Sequence, residues 1–146
     1  MGNAPVPKHG ADHGPLGPDP IPEEIILQLK VFSDTQILTV GDGRLIFLAS
    51  DDMDGMDLVD AQAYVTTVSS SGTPTVQLRN ITQAADMLTT RVTIDANEYT
   101  SYTAAAGRVI DTGNDDVAAG DRIAVDVDVA GTGAMGLGVI VKFRSP

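Results

Sequence analysis

The chain has 146 residues, no cysteine and no tryptophan, and its 20 acidic residues against nine basic ones give a formal net charge of −11. That length fits one domain with its own core. The missing thiols exclude a disulfide scaffold, a thiolate zinc site and a cysteine nucleophile. A chain this acidic repels phosphate backbones, so no nucleic-acid partner is expected, and no run approaches the roughly 20 apolar residues of a membrane helix.

Residues 1–22 hold six of the eight prolines and four of the 15 glycines, with few apolar side chains among them. Such a segment buries too little surface to offset its ordering entropy. Alone it is expected to be extended and mobile, biased toward polyproline II. It also holds both histidines, His9 and His13. Their i, i+4 spacing would align them on a helix, but Pro5, Pro7, Gly10, Gly14 and Pro15 argue against one.

From Glu23 the pattern changes. In "IILQLKVF", Ile25, Leu27, Leu29 and Val31 alternate with Ile26, Gln28, Lys30 and Phe32. Pro22-Glu23-Glu24 is a fair helix start, but the length of the alternation and the β-branched residues favour a strand. "TQILTVGDGRLIFLAS" reads as two short strands around a Gly41-Asp42-Gly43 turn. "LVDAQAYVTTVSS" sets Val59, Ala61, Ala63 and Val65 against Asp60, Gln62, Tyr64 and Thr66, and "SSSGTP" closes it. "TVQLRNIT", "TTRVTID", a short "EYTSYTAA" and "RVI" follow as further strands, while "ITQAADMLTT" supports one helical turn at most. "DRIAVDVDVA" alternates strictly, with Ile123, Val125, Val127 and Val129 inward and Asp126 and Asp128 outward. "MGLGVIVKF" is the last strand, its glycines marking a bulge or close backbone approach. Eight or nine short strands joined by turns predict an all-β antiparallel sandwich or barrel with a Val, Ile, Leu and Ala core.

Several patterns invite a chemical reading. "DDMDGMD", Asp51 to Asp57, has the alternating carboxylates and glycine of a calcium loop. With Gly55 as the loop glycine, the first and twelfth positions fall on Ser50 and Ala61, and Ala61 donates no oxygen. An EF-hand is therefore rejected. A looser cation site through Asp52 and Asp54 is the alternative to a solvated acidic loop. Asp111-Thr112-Gly113 matches the aspartic-protease tripeptide. That chemistry needs two such carboxylates sharing a proton, and this chain has one copy crowded by Asn114, Asp115 and Asp116. Asp126 and Asp128 could flank a glycoside in a cleft, but an exposed sheet face accounts for the pair. A Ser-His-Asp triad fails because both histidines lie in the N-terminal segment. No phosphate-cradling glycine loop is followed by a helix, and Asn80-Ile81-Thr82 is a glycosylation sequon without a secretory context. The only stacking residues for a glycan are Tyr64, Tyr99 and Tyr102. No cofactor is expected.

The segments "KVFSDTQILTVGDGRLIFL", "MDLVDAQAYVTTVSSSGTPTVQLRNIT", "DMLTTRVTIDANEYTSYTAA" and "VIDTGNDDVAAGDRIAVDVDVAGTGAMGLGVIVKF", in that order, resemble a small domain of virion structural proteins of tailed bacteriophages. They span Leu29 to Phe143, most of the chain after the first segment. "HGADHGPLGPDPIP" is similar to the His-rich, Gly/Asp-Pro segment of phage tail-fibre and related proteins. In those a double glycine stands where this chain has Leu16-Gly17-Pro18. The resemblance implies a β-sandwich of jelly-roll type over residues 23–146, displayed on a phage particle as a homotrimer without enzyme activity. Residues 1–22 would be an arm anchoring it to other virion proteins, either the major capsid protein or tail proteins. Contacts are expected through His9, His13, Leu16, Asp19, Pro20 and Ile21. Both a capsid decoration protein and a tail appendage with a glycan-binding sandwich fit, and histidines meeting on a trimer axis are the remaining metal reading.

Overall fold

The computed structural model describes residues 22–146, and these form an all-β fold. Its strands are β1 (Glu24–Lys30), β2 (Gly41–Leu48), β3 (Asp57–Tyr64), β4 (Thr75–Asn80), β5 (Ala85–Asp86), β6 (Leu88–Thr90), β7 (Val92–Thr93), β8 (Val109–Ile110), β9 (Arg122–Val129) and β10 (Gly138–Arg144). Single 3-10 turns cover Asp51–Met53 and Ser101–Thr103. One sheet has the order β1-β10-β3, the other β2-β9-β4-β5 with β7 also on β4, and β6 pairs with β8. All named pairs are antiparallel. The two larger sheets pack as a β-sandwich, and Phe47 of β2 meets Phe143 of β10 edge to face at 6.5 Å.

The alternation in the sequence sets which side chains enter the core. Ile123, Val125 and Val127 of β9 are buried, as are Val76 and Leu78 of β4 and Val139, Val141 and Phe143 of β10. Burying each of these side chains contributes about 1.5–3 kcal/mol before entropy is counted. Phe32, Met53, Met56 and Met87 join the aliphatic core.

Four sequence expectations are corrected. Gly41-Asp42-Gly43 is not a hairpin turn: all three lie in β2, where the register on β9 shifts between Gly41 and Leu45. Gly43, at φ +62°, supplies the left-handed residue that this bulge needs. Val59 does not face inward. The β10 register shifts between Lys142, opposite Asp60, and Phe143, opposite Leu58, so Val59 is the extra residue and stands exposed. "EYTSYTAA" forms no strand; Ser101–Thr103 is a 3-10 turn whose Tyr102 N–H faces the Thr100 hydroxyl. "TTRVTID" is two short strands, because β6 leaves β4 to pair with β8 while β7 stays on β4.

The glycines of the last strand do mark close approach. A Cβ on Gly136, at φ +70°, would collide with the Thr66 side chain and lie 3.0 Å from Asp34 Cα. A Cβ on Gly138 would enter the Tyr64 ring, which packs across that strand.

Candidate functional site

The two acidic stretches that read as separate motifs form one structure at one end of the sandwich. Gly55 N–H donates to Val117 C=O at 2.9 Å, Val117 N–H donates to Met56 C=O at 2.9 Å, and Leu58 N–H donates to Asp115 C=O at 2.8 Å. Asp57 and Asp116 form an isolated antiparallel bridge. Met53, Met56 and Val117 are buried beneath these bonds, which explains why methionines interrupt the acidic run. Asp54 Oδ1 accepts the Ala119 N–H at 2.9 Å and so ties the two loops together. Among the described residues no three His, Cys, Asp or Glu side chains are grouped to hold a metal, so Asp52 and Asp54 are not brought into a ligand set.

Asp111, the residue of the protease-like tripeptide, organises its own loop. Its Oδ1 accepts from Gly113 N–H at 3.0 Å and its Oδ2 from Asn114 Nδ2 at 2.9 Å. This is the Asp and Gly turn chemistry of an ordinary loop. Beside it, burial and then the nearby Asp57 carboxylate push Asp115 above the usual carboxylate range, with Asp116 and Asp111 adding to the effect.

A polar centre that the sequence did not single out lies under this end. Asp121 is buried and its Oδ2 accepts three hydrogen bonds, from Asn80 Nδ2 at 2.8 Å, Gln83 Nε2 at 2.8 Å and Ala118 N–H at 3.0 Å. Burial raises its pKa, but the bonds from Ala118, Asn80 and Gln83 outweigh that and hold the carboxyl below its ordinary value. Asn80 is fully buried, so the sequon at Asn80 is closed to glycosylation in the fold. The only hint in the sequence was an Asn placed on the inward face of a strand.

Asp126 and Asp128 also differ from expectation. The outward face of β9 is covered: Asp126 is 5% exposed, and its Oδ1 accepts the Gly43 N–H of the β2 bulge at 2.6 Å. Burial raises its pKa, the Gly43 bond lowers it, and Asp42, Asp128 and Asp86 raise it further. Asp128 is paired with Arg91. Asp126 is thus engaged within its sheet and Asp128 with Arg91. Val129, assigned inward, is exposed at the end of β9.

The tyrosines are partly gathered. An isolated bridge between Tyr64 and Thr100 sets the Tyr99–Tyr102 segment along the end of β3. Tyr99 and Tyr102 are exposed, while Tyr64 is half-buried over Gly138 with Lys30 Nζ 5.0 Å from its ring centre. Beneath them, Arg108 Nη2 binds Asp60 Oδ1 at 2.5 Å and the buried Gln62 amide joins Ser101 Oγ to Arg108. This network fixes the 99–108 segment on β3. His9, His13, Leu16, Asp19, Pro20 and Ile21, expected to anchor the chain, lie outside the described residues.

Charge is distributed by end. The loops 51–57 and 111–116 carry seven aspartates, whereas 65–74 and 129–137 at the far end carry no Asp, Glu, Lys or Arg. Glu23 N–H donates to Ser145 Oγ at 2.8 Å, so the first described strand and the last meet at the acidic end. No protein-family model, no curated protein and no solved structure matches this chain.

Proposed function

We propose that this chain is a non-enzymatic structural protein of a phage particle, displayed on the surface as a capsid decoration or cement protein and anchored by residues 1–22. The reading begins with the sequence resemblance. One observation supports it most: among the described residues, one core cluster is built from residues between Phe32 and Phe143, with Ile25, Leu27 and Leu29 packed against it. The Pro-rich segment ahead of Pro22 is read as the part that serves a partner. Ordering such a segment on a neighbour by burying Leu16 and Ile21 and pairing its backbone is a familiar peptide-recognition mode. The finer assignment of the sandwich as a jelly roll, and the association as a homotrimer, rest on the resemblance.

The functional carboxylates favour this reading over an enzyme. Asp111, Asp121 and Asp126 are each committed to hydrogen bonds that hold loops or strands together. A host-glycan-binding tail appendage is the second reading, and the exposure of Tyr99 and Tyr102 beside Tyr64 favours it. Immunogold labelling of purified particles with antibody against residues 23–146 tests the proposal. Dense label over the head supports decoration and label on the tail supports the appendage. Particles without label would reject both.

A further inference from the structure

Among the described residues, the β-sandwich is open along one flank. β3 packs beside β7 on one side, which leaves β1 and β2, the end strands of their sheets, as the edges of the other. The inward side chains of β4, β9 and β10 are buried, but those of β1 and β2 are not: Ile25, Leu27, Leu29, Leu45 and Phe47 are only partly covered. Their outward neighbours Ile26, Ile46 and Leu48 are 54%, 50% and 63% exposed. An edge with this much apolar surface, and with no proline in either strand, is a template for another strand.

The charge pattern says what fits there. In a chain with 20 acids, residues 25–33 and 43–50 contain none. Two copies at −11 repel one another except through such a stretch. The edges are also complementary. Phe47 touches Phe143, and Phe143 lies opposite Ile25, so the two edges are level at residues 25 and 47. They run in opposite directions from there, bringing Ile26 level with Ile46.

We propose that the occupant of this flank is a second copy of the chain, related by a two-fold axis parallel to the strands. β1 of each copy then runs antiparallel to β2 of the other. Ile26 meets Ile46 of the second copy twice over, and each three-stranded sheet continues into the partner's larger sheet. Both edges are closed by one self-complementary contact. This does not rest on the phage reading, and a two-fold contact is an alternative to the three-fold association which the resemblance implied.

The absence of cysteine gives a clean test on the full chain. Ile26→Cys and Ile46→Cys are made as single variants, each at an exposed position. Light scattering of the unmodified chain should give twice 15.2 kDa. Oxidation of an equal mixture of the two variants should yield a crosslinked pair containing one of each. Ile46→Lys should weaken the association at least ten-fold while far-UV circular dichroism stays unchanged. A monomer at all concentrations, a three-copy mass, or crosslinking of Ile46→Cys alone as efficient as the mixture would overturn the proposal. A two-copy protein absent from particles would sink the phage reading and leave this one standing.

Discussion

Asp126 Oδ1 accepts the Gly43 N–H at 2.6 Å, so a carboxylate on the middle strand of one sheet holds the bulge of its edge strand. The bond explains why an aspartate that alternation assigned to solvent is 5% exposed. It also couples the bulge to pH.

Because burial and the neighbouring acids raise the Asp126 pKa, the folded state binds its proton more tightly than the unfolded chain does. Stability from this group is therefore greatest below the unfolded carboxylate pKa and declines as pH rises through the folded one. Asp126→Asn keeps an acceptor for Gly43 N–H and removes repulsion from Asp42, Asp128 and Asp86. Thermal melts at pH 7 should show a gain of about 1 kcal/mol that shrinks toward pH 3.

Asp121 has the opposite sign. Its carboxyl is held below the ordinary value, so its contribution is present above the unfolded pKa and is lost as pH falls through the folded one. Asp121→Ala would strip partners from the fully buried Asn80 amide, from Gln83 and from Ala118 N–H. Urea unfolding at pH 7 should show a loss of about 2–4 kcal/mol, reduced in acid.

The two glycines at the start of the last strand should respond differently to alanine. Gly136 combines φ +70° with backbone 3.0 Å away, at Asp34 Cα, and neither relaxes easily. Gly136→Ala should cost about 2–4 kcal/mol in denaturant melts. At Gly138 the obstacle is the Tyr64 ring, the end of a side chain that can turn aside. Gly138→Ala should cost about 1 kcal/mol, and Tyr64→Ala in the same chain should remove most of the difference.

The strand content was legible where two-residue alternation ran unbroken, as in Ile123, Val125 and Val127. It failed where the chain broke its own period. The bulges at Gly41–Leu45 and at Val59 each insert residues that a flat pattern counts as pairing. Sequence also could not say that β9 is central: with β2 and β4 on either side, its outward Asp126 is covered instead of solvated. The joining of loops 51–57 and 111–121 depends on contacts about 60 residues apart, which no local spacing reports. Turn chemistry at Asp111 was readable, because Asp and Gly two residues apart make that turn wherever they occur.

The display role is tested most directly by attachment. The full chain and a chain lacking residues 2–22 are mixed with particles stripped of this protein, and bound copies are counted by quantitative mass spectrometry. The shortened chain retains every strand of the described sandwich, and its circular dichroism spectrum should match that of the full chain. The account predicts that the full chain loads and the shortened chain does not. Loading of the shortened chain at the same stoichiometry would contradict it.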